Sequence, residues 1–178
     1  MAPLTQSQIA GIHKELLPIL SNDEAKTSFG VGAYKAFLGA HPEYIQYFSK
    51  LNGLTIDNVF ESEGIKYYGR TLVDEIVKML TAGADDEKLK QVLHDSGKAH
   101  TARNIDNATF MVSKLFMFLK RVSEMRLARG LYGPFPIFAQ SGLPVFVDYF
   151  NKSLTVPENQ TAMEAFLNHV FPNISKDL

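Results

Sequence analysis

Apolar side chains recur every three or four residues in one segment of the chain after another, which is the spacing of one face of an α-helix. The clearest run holds Ile65, Tyr68, Leu72, Ile76 and Met79. No alternation of apolar and polar residues is long enough to indicate a half-buried strand. At 178 residues, the chain is long enough for one domain with its own core. The pattern therefore predicts an all-α fold of seven or eight helices.

Residues that favour helix ends stand at the ends of these runs. Thr5 and Gln8 have the spacing of a capping box. His41 is expected to end a helix, because the residue before a proline is pushed out of the α region. The predicted helix starts are Thr5, Asn22, Pro42, Ser62, Asp85 and Pro157, and the predicted stops are His41 and Gly83.

Two glycines, Gly30 and Gly69, lie inside helical patterns. A glycine there costs roughly 1 kcal/mol relative to alanine. A helix tolerates this cost where another backbone must come close, but two incidental glycines would give the same pattern. The residues alone leave both interpretations open.

Composition excludes several classes of function. Lys and Arg number 18 against 19 Asp and Glu, so the net charge of −1 gives no reason to expect nucleic acid as a partner. Cysteine is absent, which excludes thiolate chemistry. No P-loop, Gly-x-Ser-x-Gly or His-Glu-x-x-His pattern occurs. The polar start lacks the apolar core of a signal peptide, and no apolar run is long enough to span a membrane, so we expect a cytoplasmic protein.

The chain has five histidines, none in an evident metal-binding pair. His94 and His100 share one predicted helix, but their separation of six residues turns them roughly 120° apart. On spacing alone, His100 is a single helical histidine, and such residues are more often structural than metal ligands.

Three runs together show a family resemblance. Residues 41–48, from His41-Pro-Glu-Tyr-Ile to Phe48, resemble the globin segment that places a phenylalanine against the haem. Residues 62–72 resemble the distal helix, and residues 97–103 the segment with the proximal histidine. Over residues 1–111 and 141–178 the chain is most similar to the haemoglobins of trematode flatworms. The resemblance implies a three-over-three helical sandwich around haem, with close crossing of two helices at Gly30 and Gly69.

The resemblance implies a role for each matching residue. His100 matches the proximal ligand, which gives the haem iron a neutral imidazole nitrogen. Phe48 matches the ring that lies flat on the haem, Leu72 the apolar wall beside the ligand, and Ile105 a contact at the haem edge. The residues implied to hold haem b (iron protoporphyrin IX) are Phe48, Tyr68, Leu72, His100 and Ile105.

Two tyrosines depart from the common globin pattern. Tyr68 stands where most globins have histidine, and Tyr34 where leucine is frequent; trematode haemoglobins are similar in having both. If either hydroxyl donates to the partly negative oxygen ligand, the bond is worth about 1.5–3 kcal/mol. At about 1.4 kcal/mol per tenfold, oxygen loss slows roughly tenfold or more. The alternative is that both are core aromatics with their hydroxyls at the surface.

These features predict a monomeric, high-affinity oxygen transport or storage protein that is not an enzyme. A haem enzyme is the alternative. Nitric oxide dioxygenation needs a reductase that the chain does not contain. Weak peroxidase activity is less favoured, because a phenol with a pKa near 10 is a poor proton shuttle near neutral pH.

The resemblance breaks between Met111 and Ser141. Joining these two residues restores the globin pattern, so the domain is expected to span residues 1–178 with an insertion of 29 residues at 112–140. Either residues 107–129 form one long helix that replaces the native one, or residues 141–154 keep the native place and the insertion loops out. A genuine insertion would include a basic amphipathic helix at 114–129, suited to an anionic membrane or a protein partner, even without haem.

We favour a retained in-frame intron as the source of residues 112–140. Val112-Ser113 can be encoded by GTAAGT, a strong intron start, and the end at Gln140 by a pyrimidine-rich tract closing in CAG. Sequencing of the transcripts is expected to show a main message that lacks these 29 codons. A dominant message that contains them would contradict the hypothesis.

Overall fold

A computed structural model of the chain describes residues 3–101 and 138–174. These ranges are helical and contain no strand, which confirms the all-α prediction. None of their helices is both long and apolar enough to cross a membrane. The α-helices are α1 (Gln6–Ile19), α2 (Asp23–Ala40), α3 (Glu63–Ala82), α4 (Asp86–Thr101), α5 (Phe138–Lys152) and α6 (Pro157–Ile174). Three short 3₁₀ helices join α2 to α3: η1 (Pro42–Tyr47), η2 (Ser49–Leu51) and η3 (Val59–Glu61).

The predicted capping residues lie at the helix ends. Thr5 accepts a hydrogen bond from the Gln8 backbone N–H, and the Gln8 side chain accepts one from the Thr5 backbone, which completes the capping box of α1. Asn22 caps α2 through the backbone N–H of residue 25, at 2.8 Å. Ser62 caps α3, and Gly83 ends it. The local signals for these ends are confirmed.

The short helix predicted to start at Pro42 has 3₁₀ geometry. It covers Pro42–Tyr47, and Phe48 is extended, with φ −101° and ψ 99°. This extended residue separates η1 from η2 and turns the chain back towards α3. Gly53 follows with φ +80°, a left-handed conformation that glycine adopts without steric cost.

Buried side chains form two clusters that meet at Leu72. One cluster is built mainly from α1, α3, α4, α5 and α6, and the other from α2, the 3₁₀ helices and the start of α3. Leu72 is partly buried and packs against both. The second cluster contains Tyr34 and is contacted by Phe48 and Tyr68, so these three aromatic residues lie around one of the two cores.

Backbone touches backbone where α2 crosses α3. A Cβ atom added to Gly30 would lie 2.6 Å from the Gly69 Cα and closer still to its carbonyl oxygen. A Cβ added to Gly69 would lie 2.6 Å from the Val31 nitrogen. Real Cβ atoms do not approach other atoms so closely. The close crossing expected for these two glycines is confirmed.

Ion pairs join the same two helices at their surface. Arg70 contacts Asp23 at 2.7 Å, and Lys26 contacts Asp74 at 2.8 Å. Exposed pairs of this kind contribute about 0–1 kcal/mol each, so they orient the crossing more than they stabilise it.

Helix α5 packs between α2 and α6. A Cβ added to Gly142 would lie 3.1 Å from the Phe37 ring, and the Phe146 ring stacks on Phe37 with centroids 5.3 Å apart. The Tyr149 hydroxyl donates to the Phe29 carbonyl oxygen at 3.1 Å. Whether residues 141–154 keep the native place stays a prediction. The competing segment, 107–129, and the proposed insertion up to residue 137 lie outside the described residues.

The Glu15 carboxylate joins α1 to the start of α6. It accepts hydrogen bonds from the Asn159 amide, from the hydroxyl and backbone N–H of Thr155, and from the backbone N–H of Val156. The two backbone donors immediately precede α6. The Asn159 bond, followed by the Thr155 bonds, lowers the pKa of Glu15 from 4.5 to about 2.

Replacing Gly30 by alanine is expected to destabilise the protein by about 2–3 kcal/mol or more, because α2 and α3 must separate to admit the methyl group. The matched control is Gly39→Ala on the same helix, where no heavy atom lies within 4 Å of the added Cβ. That change should be neutral or stabilise by up to about 1 kcal/mol. Urea denaturation measures both free energies of unfolding; equal effects would contradict the crossing.

The Glu15 bonds predict a pH dependence of stability. A carboxyl whose folded pKa is about 2 and whose ordinary pKa is 4.5 stabilises the fold above pH 4.5, and this contribution is lost as the pH falls towards 2. Thermal unfolding of Glu15→Gln should therefore differ from wild type most at neutral pH and converge with it in acid. Glu164→Gln, an exposed change on α6, is the control. A difference in unfolding temperature between wild type and Glu15→Gln that stays constant from pH 6 to pH 2 would refute the stabilising role of the Glu15 carboxylate.

Candidate functional site

Three aromatic rings singled out by sequence lie together at one end of the α2–α3 crossing. The Tyr34 and Phe48 ring centroids are 5.5 Å apart, Phe48 and Tyr68 are 5.1 Å apart, and Tyr34 and Tyr68 are 6.4 Å apart. The first two pairs have edge-to-face geometry, which aromatic rings favour. Residues from α2, the 3₁₀ region and α3 therefore converge on one patch, which we call the aromatic site (Tyr34, Phe48 and Tyr68).

Tyr34 is the inner member of the aromatic site. It lies one helical turn after Gly30, so the close helix crossing carries its side chain towards α3. Only 9% of Tyr34 is exposed. Its ring also contacts Phe146 of α5, with centroids 5.9 Å apart and nearly perpendicular planes. Helices α2 and α5 thus hold this tyrosine in the interior.

Tyr68 is the outer member, and its hydroxyl is directed to the surface. The oxygen lies 3.3 Å from Ser49 Oγ, and the backbone N–H of Lys50 donates to it at 3.4 Å. Both contacts are exposed. For Tyr68 the structure thus shows the hydroxyl position that the alternative interpretation expected, whereas the Tyr34 side chain is buried. The two tyrosines are not equivalent.

Leu72 extends the aromatic site along α3. It lies one turn after Tyr68 and packs against both hydrophobic clusters. Phe48, Tyr68 and Leu72 are each only partly buried. Together they form an apolar wall that continues the hydrophobic core and keeps part of its surface accessible to solvent. A flat apolar ligand packs against a surface of this kind.

The proximal side is described only by its backbone. His100 lies in the last turn of α4, whose first turn is capped by the Asp85 carboxylate accepting from the Lys88 N–H at 3.1 Å. The His100 side chain and the whole of Ile105 lie outside the described residues. Their assignment as the axial ligand and haem-edge contact therefore stays a prediction.

The residues present fit a haem group. Within residues 3–101 and 138–174, no group of three His, Cys, Asp or Glu side chains could hold a bare metal ion. A porphyrin supplies its own four nitrogens, so one histidine is sufficient as the protein ligand. The half-buried wall of Phe48, Tyr68 and Leu72 is of the apolar kind that a porphyrin face packs against. The resemblance to globins implies that the His100 imidazole is this protein ligand.

An open groove of about 700 Å³ lies elsewhere, between the start of α2 and the start of α3. It does not include Tyr34, Phe48 or Tyr68. Its two cations are already paired, Lys66 with Glu63 at 2.8 Å and Arg70 with Asp23 at 2.7 Å. Nothing in its side chains favours this groove over the aromatic site.

Two contributors to the site were missed by sequence reasoning. Phe146 packs on Tyr34 and Phe37, and its spacing of four residues from Gly142 and Phe150 was a helical signal that could have indicated a buried face. Ser49 contacts Tyr68 from nineteen residues away, and no local pattern marks that pairing.

Known proteins resemble this chain along most of its length. The family described as Globin matches residues 31–124, a range that contains Tyr34, Phe48, Tyr68, Leu72 and His100. A protein named Globin from Isoparorchis hypselobagri is 31% identical over 176 residues, which are 98% of this chain and 99% of that protein. Another Globin, from Dicrocoelium dendriticum, is 56% identical over 73 residues, 41% of this chain and 63% of that protein. The family match ends at residue 124, inside residues 112–140, and it does not test where these residues come from. The retained-intron hypothesis therefore stays a prediction.

Proposed function

The chain belongs to the globin family, whose function is haem-based oxygen binding, and we propose that this member is a high-affinity oxygen transport or storage protein. The observation that carries the proposal is the buried Tyr34 ring, packed against Phe48 and Tyr68 beside Leu72. A phenol in this position brings a hydrogen-bond donor into an otherwise apolar region.

The helix lengths place the His100 backbone at a level of α4 that matches Tyr68 on α3. Tyr68 lies fourteen residues before the end of α3, and His100 lies fourteen after the start of α4. At 1.5 Å per residue, each backbone position is about 21 Å from the short connection between the two helices. The helices contact each other, so the two positions lie at a similar level on neighbouring elements.

Haem b, when bound, supplies an iron centre that takes up oxygen reversibly. The protein's part is to hold the group, to exclude water and to stabilise the ligand. His100 would provide a neutral imidazole nitrogen to the haem iron. Phe48, Leu72 and Ile105 provide apolar contacts, which keep the local dielectric low and so strengthen any hydrogen bond made there.

The Tyr34 hydroxyl is the principal donor to the ligand in this proposal. Oxygen takes on partial negative charge when it binds, and a donor to a charged acceptor is worth about 1.5–3 kcal/mol. Tyr34 is buried against the rings of Phe48 and Phe146, whereas the Tyr68 hydroxyl lies at the surface beside Ser49 and Lys50. The first tyrosine is therefore expected to slow oxygen release more than the second.

The same residues make peroxidase turnover a weaker proposal. Proton transfer near neutral pH favours a group that readily gains and loses a proton there, such as an imidazole, and a phenol is poorly suited to it. Nitric oxide dioxygenation needs an external source of electrons. Oxygen carriage needs neither a proton-transfer group nor an electron source, so we keep it as the proposed function. We regard the chain as one globin domain over residues 1–178 that is interrupted at 112–140, and we propose that it is monomeric.

Oxygen release tests the proposed role of the tyrosines. Stopped-flow displacement of oxygen by carbon monoxide gives the dissociation rate of the haem-loaded chain. Tyr34→Phe should raise this rate about tenfold or more, because it removes one hydrogen bond and little volume. Tyr68→Phe should raise it less. Tyr149→Phe, which removes the hydroxyl bonded to Phe29, is the matched control and should leave the rate unchanged. Unchanged rates in both distal variants would refute the proposal.

A further inference from the structure

The corner formed by η2 contacts α3 at the residue that carries the outer tyrosine. Ser49 Oγ shares a hydrogen bond with the Tyr68 hydroxyl at 3.3 Å, and the Lys50 backbone N–H donates to the same oxygen at 3.4 Å. These two groups lie outside the helix that holds Tyr68. The orientation of the tyrosine therefore depends on where the corner sits.

Gly64 allows the corner to approach. It lies one turn before Tyr68, on the same side of α3. A Cβ added to Gly64 would overlap the Lys50 carbonyl oxygen and lie 2.8 Å from Leu51 Cδ2. With glycine there, the η2 backbone lies directly against α3, and the N–H of Lys50 itself reaches the Tyr68 hydroxyl.

The Lys50 side chain adds a contact on the outer face. Its Nζ lies 4.5 Å from the centre of the Tyr67 ring, within the range of a cation–π interaction. Tyr67 is 44% exposed, so this contact is screened by water and weak. Lys50 thus contacts α3 through its N–H, its carbonyl oxygen and its ammonium group.

We propose that Ser49 is a positioning residue that, with the Lys50 N–H, holds the Tyr68 hydroxyl away from the ligand. This inference rests on the proposed function, because it concerns the same distal pocket. The corner competes with the ligand for one hydroxyl. When the corner holds it, Tyr34 alone donates to the ligand; when the corner releases it, Tyr68 becomes a second donor.

The two bonds that hold the Tyr68 hydroxyl are weak, so the competition between the corner and the ligand for this hydroxyl is reversible. At 3.3 and 3.4 Å both lie beyond the usual length of such bonds. Loss of one ordinary hydrogen bond changes an equilibrium about two- to tenfold. Removing the Ser49 hydroxyl should therefore shift the Tyr68 orientation by that factor rather than abolish binding.

A spectroscopic test follows Tyr68 itself. The chain has seven tyrosines, which can be labelled with 3-fluorotyrosine and resolved by ¹⁹F NMR in the haem-loaded chain saturated with carbon monoxide. The resonance missing in Tyr68→Phe identifies Tyr68. Ser49→Ala should move this resonance more than any other, and Ser49→Thr, which keeps a hydroxyl, should restore it. Ser153→Ala, which removes a hydroxyl bonded to the Phe150 carbonyl, is the control and should leave it in place.

The kinetic test uses the oxygen dissociation rate in a double-mutant cycle. Ser49→Ala should slow oxygen release about two- to tenfold, because the freed Tyr68 hydroxyl then donates to the ligand. In the Tyr68→Phe background the same change should have no effect. An unchanged or faster rate in Ser49→Ala, or an equal effect in both backgrounds, would overturn the inference.

The two tests separate this inference from the function on which it rests. If the chain does not retain oxygen through its tyrosines, Tyr34→Phe leaves the dissociation rate unchanged whatever Ser49 does. If the positioning role is wrong, the Tyr68 resonance stays in place in Ser49→Ala while Tyr34→Phe still speeds oxygen release.

Discussion

The contact between the α2 and α3 backbones at Gly30 and Gly69 sets the geometry of the whole distal side. Tyr34 lies one turn beyond Gly30, and Tyr68 immediately precedes Gly69. Because the helices touch without side chains between them, the two tyrosine rings come within 6.4 Å of each other. A larger residue at either glycine would separate the tyrosines as well as the helices.

Contacts within three or four residues were the predictable part of this molecule. The caps of α1, α2 and α3 are of this kind, because each joins a side chain to the backbone of its own helix. The position of α5 could not be predicted, because residues 112–140 break the pattern that would set its register. The pairing of Ser49 with Tyr68 depends on how the η2 corner folds back onto α3, and no periodicity encodes that.

The two tyrosines show how similar residues acquire different roles. Both belong to the pattern that the chain shares with trematode haemoglobins, and sequence treats them alike. Their surroundings differ: α5 closes over Tyr34 through Phe146, whereas Tyr68 meets hydrogen-bond partners at the surface. A hydroxyl in a buried, apolar region makes stronger hydrogen bonds than one at the surface, so burial rather than residue type is the basis on which we propose different roles for the two tyrosines.

The assignment of His100 as the axial ligand is the claim on which the haem function depends. The most direct measurement is the absorption spectrum of the haem-reconstituted chain, reduced and under air, for wild type and His100→Gly. Wild type should show a histidine-ligated haem that takes up oxygen. The variant should lose that spectrum and recover it with added imidazole, whereas His94→Gln on the same helix should match wild type. A His100→Gly spectrum identical to wild type, or a wild-type chain that takes up no haem, would contradict the assignment.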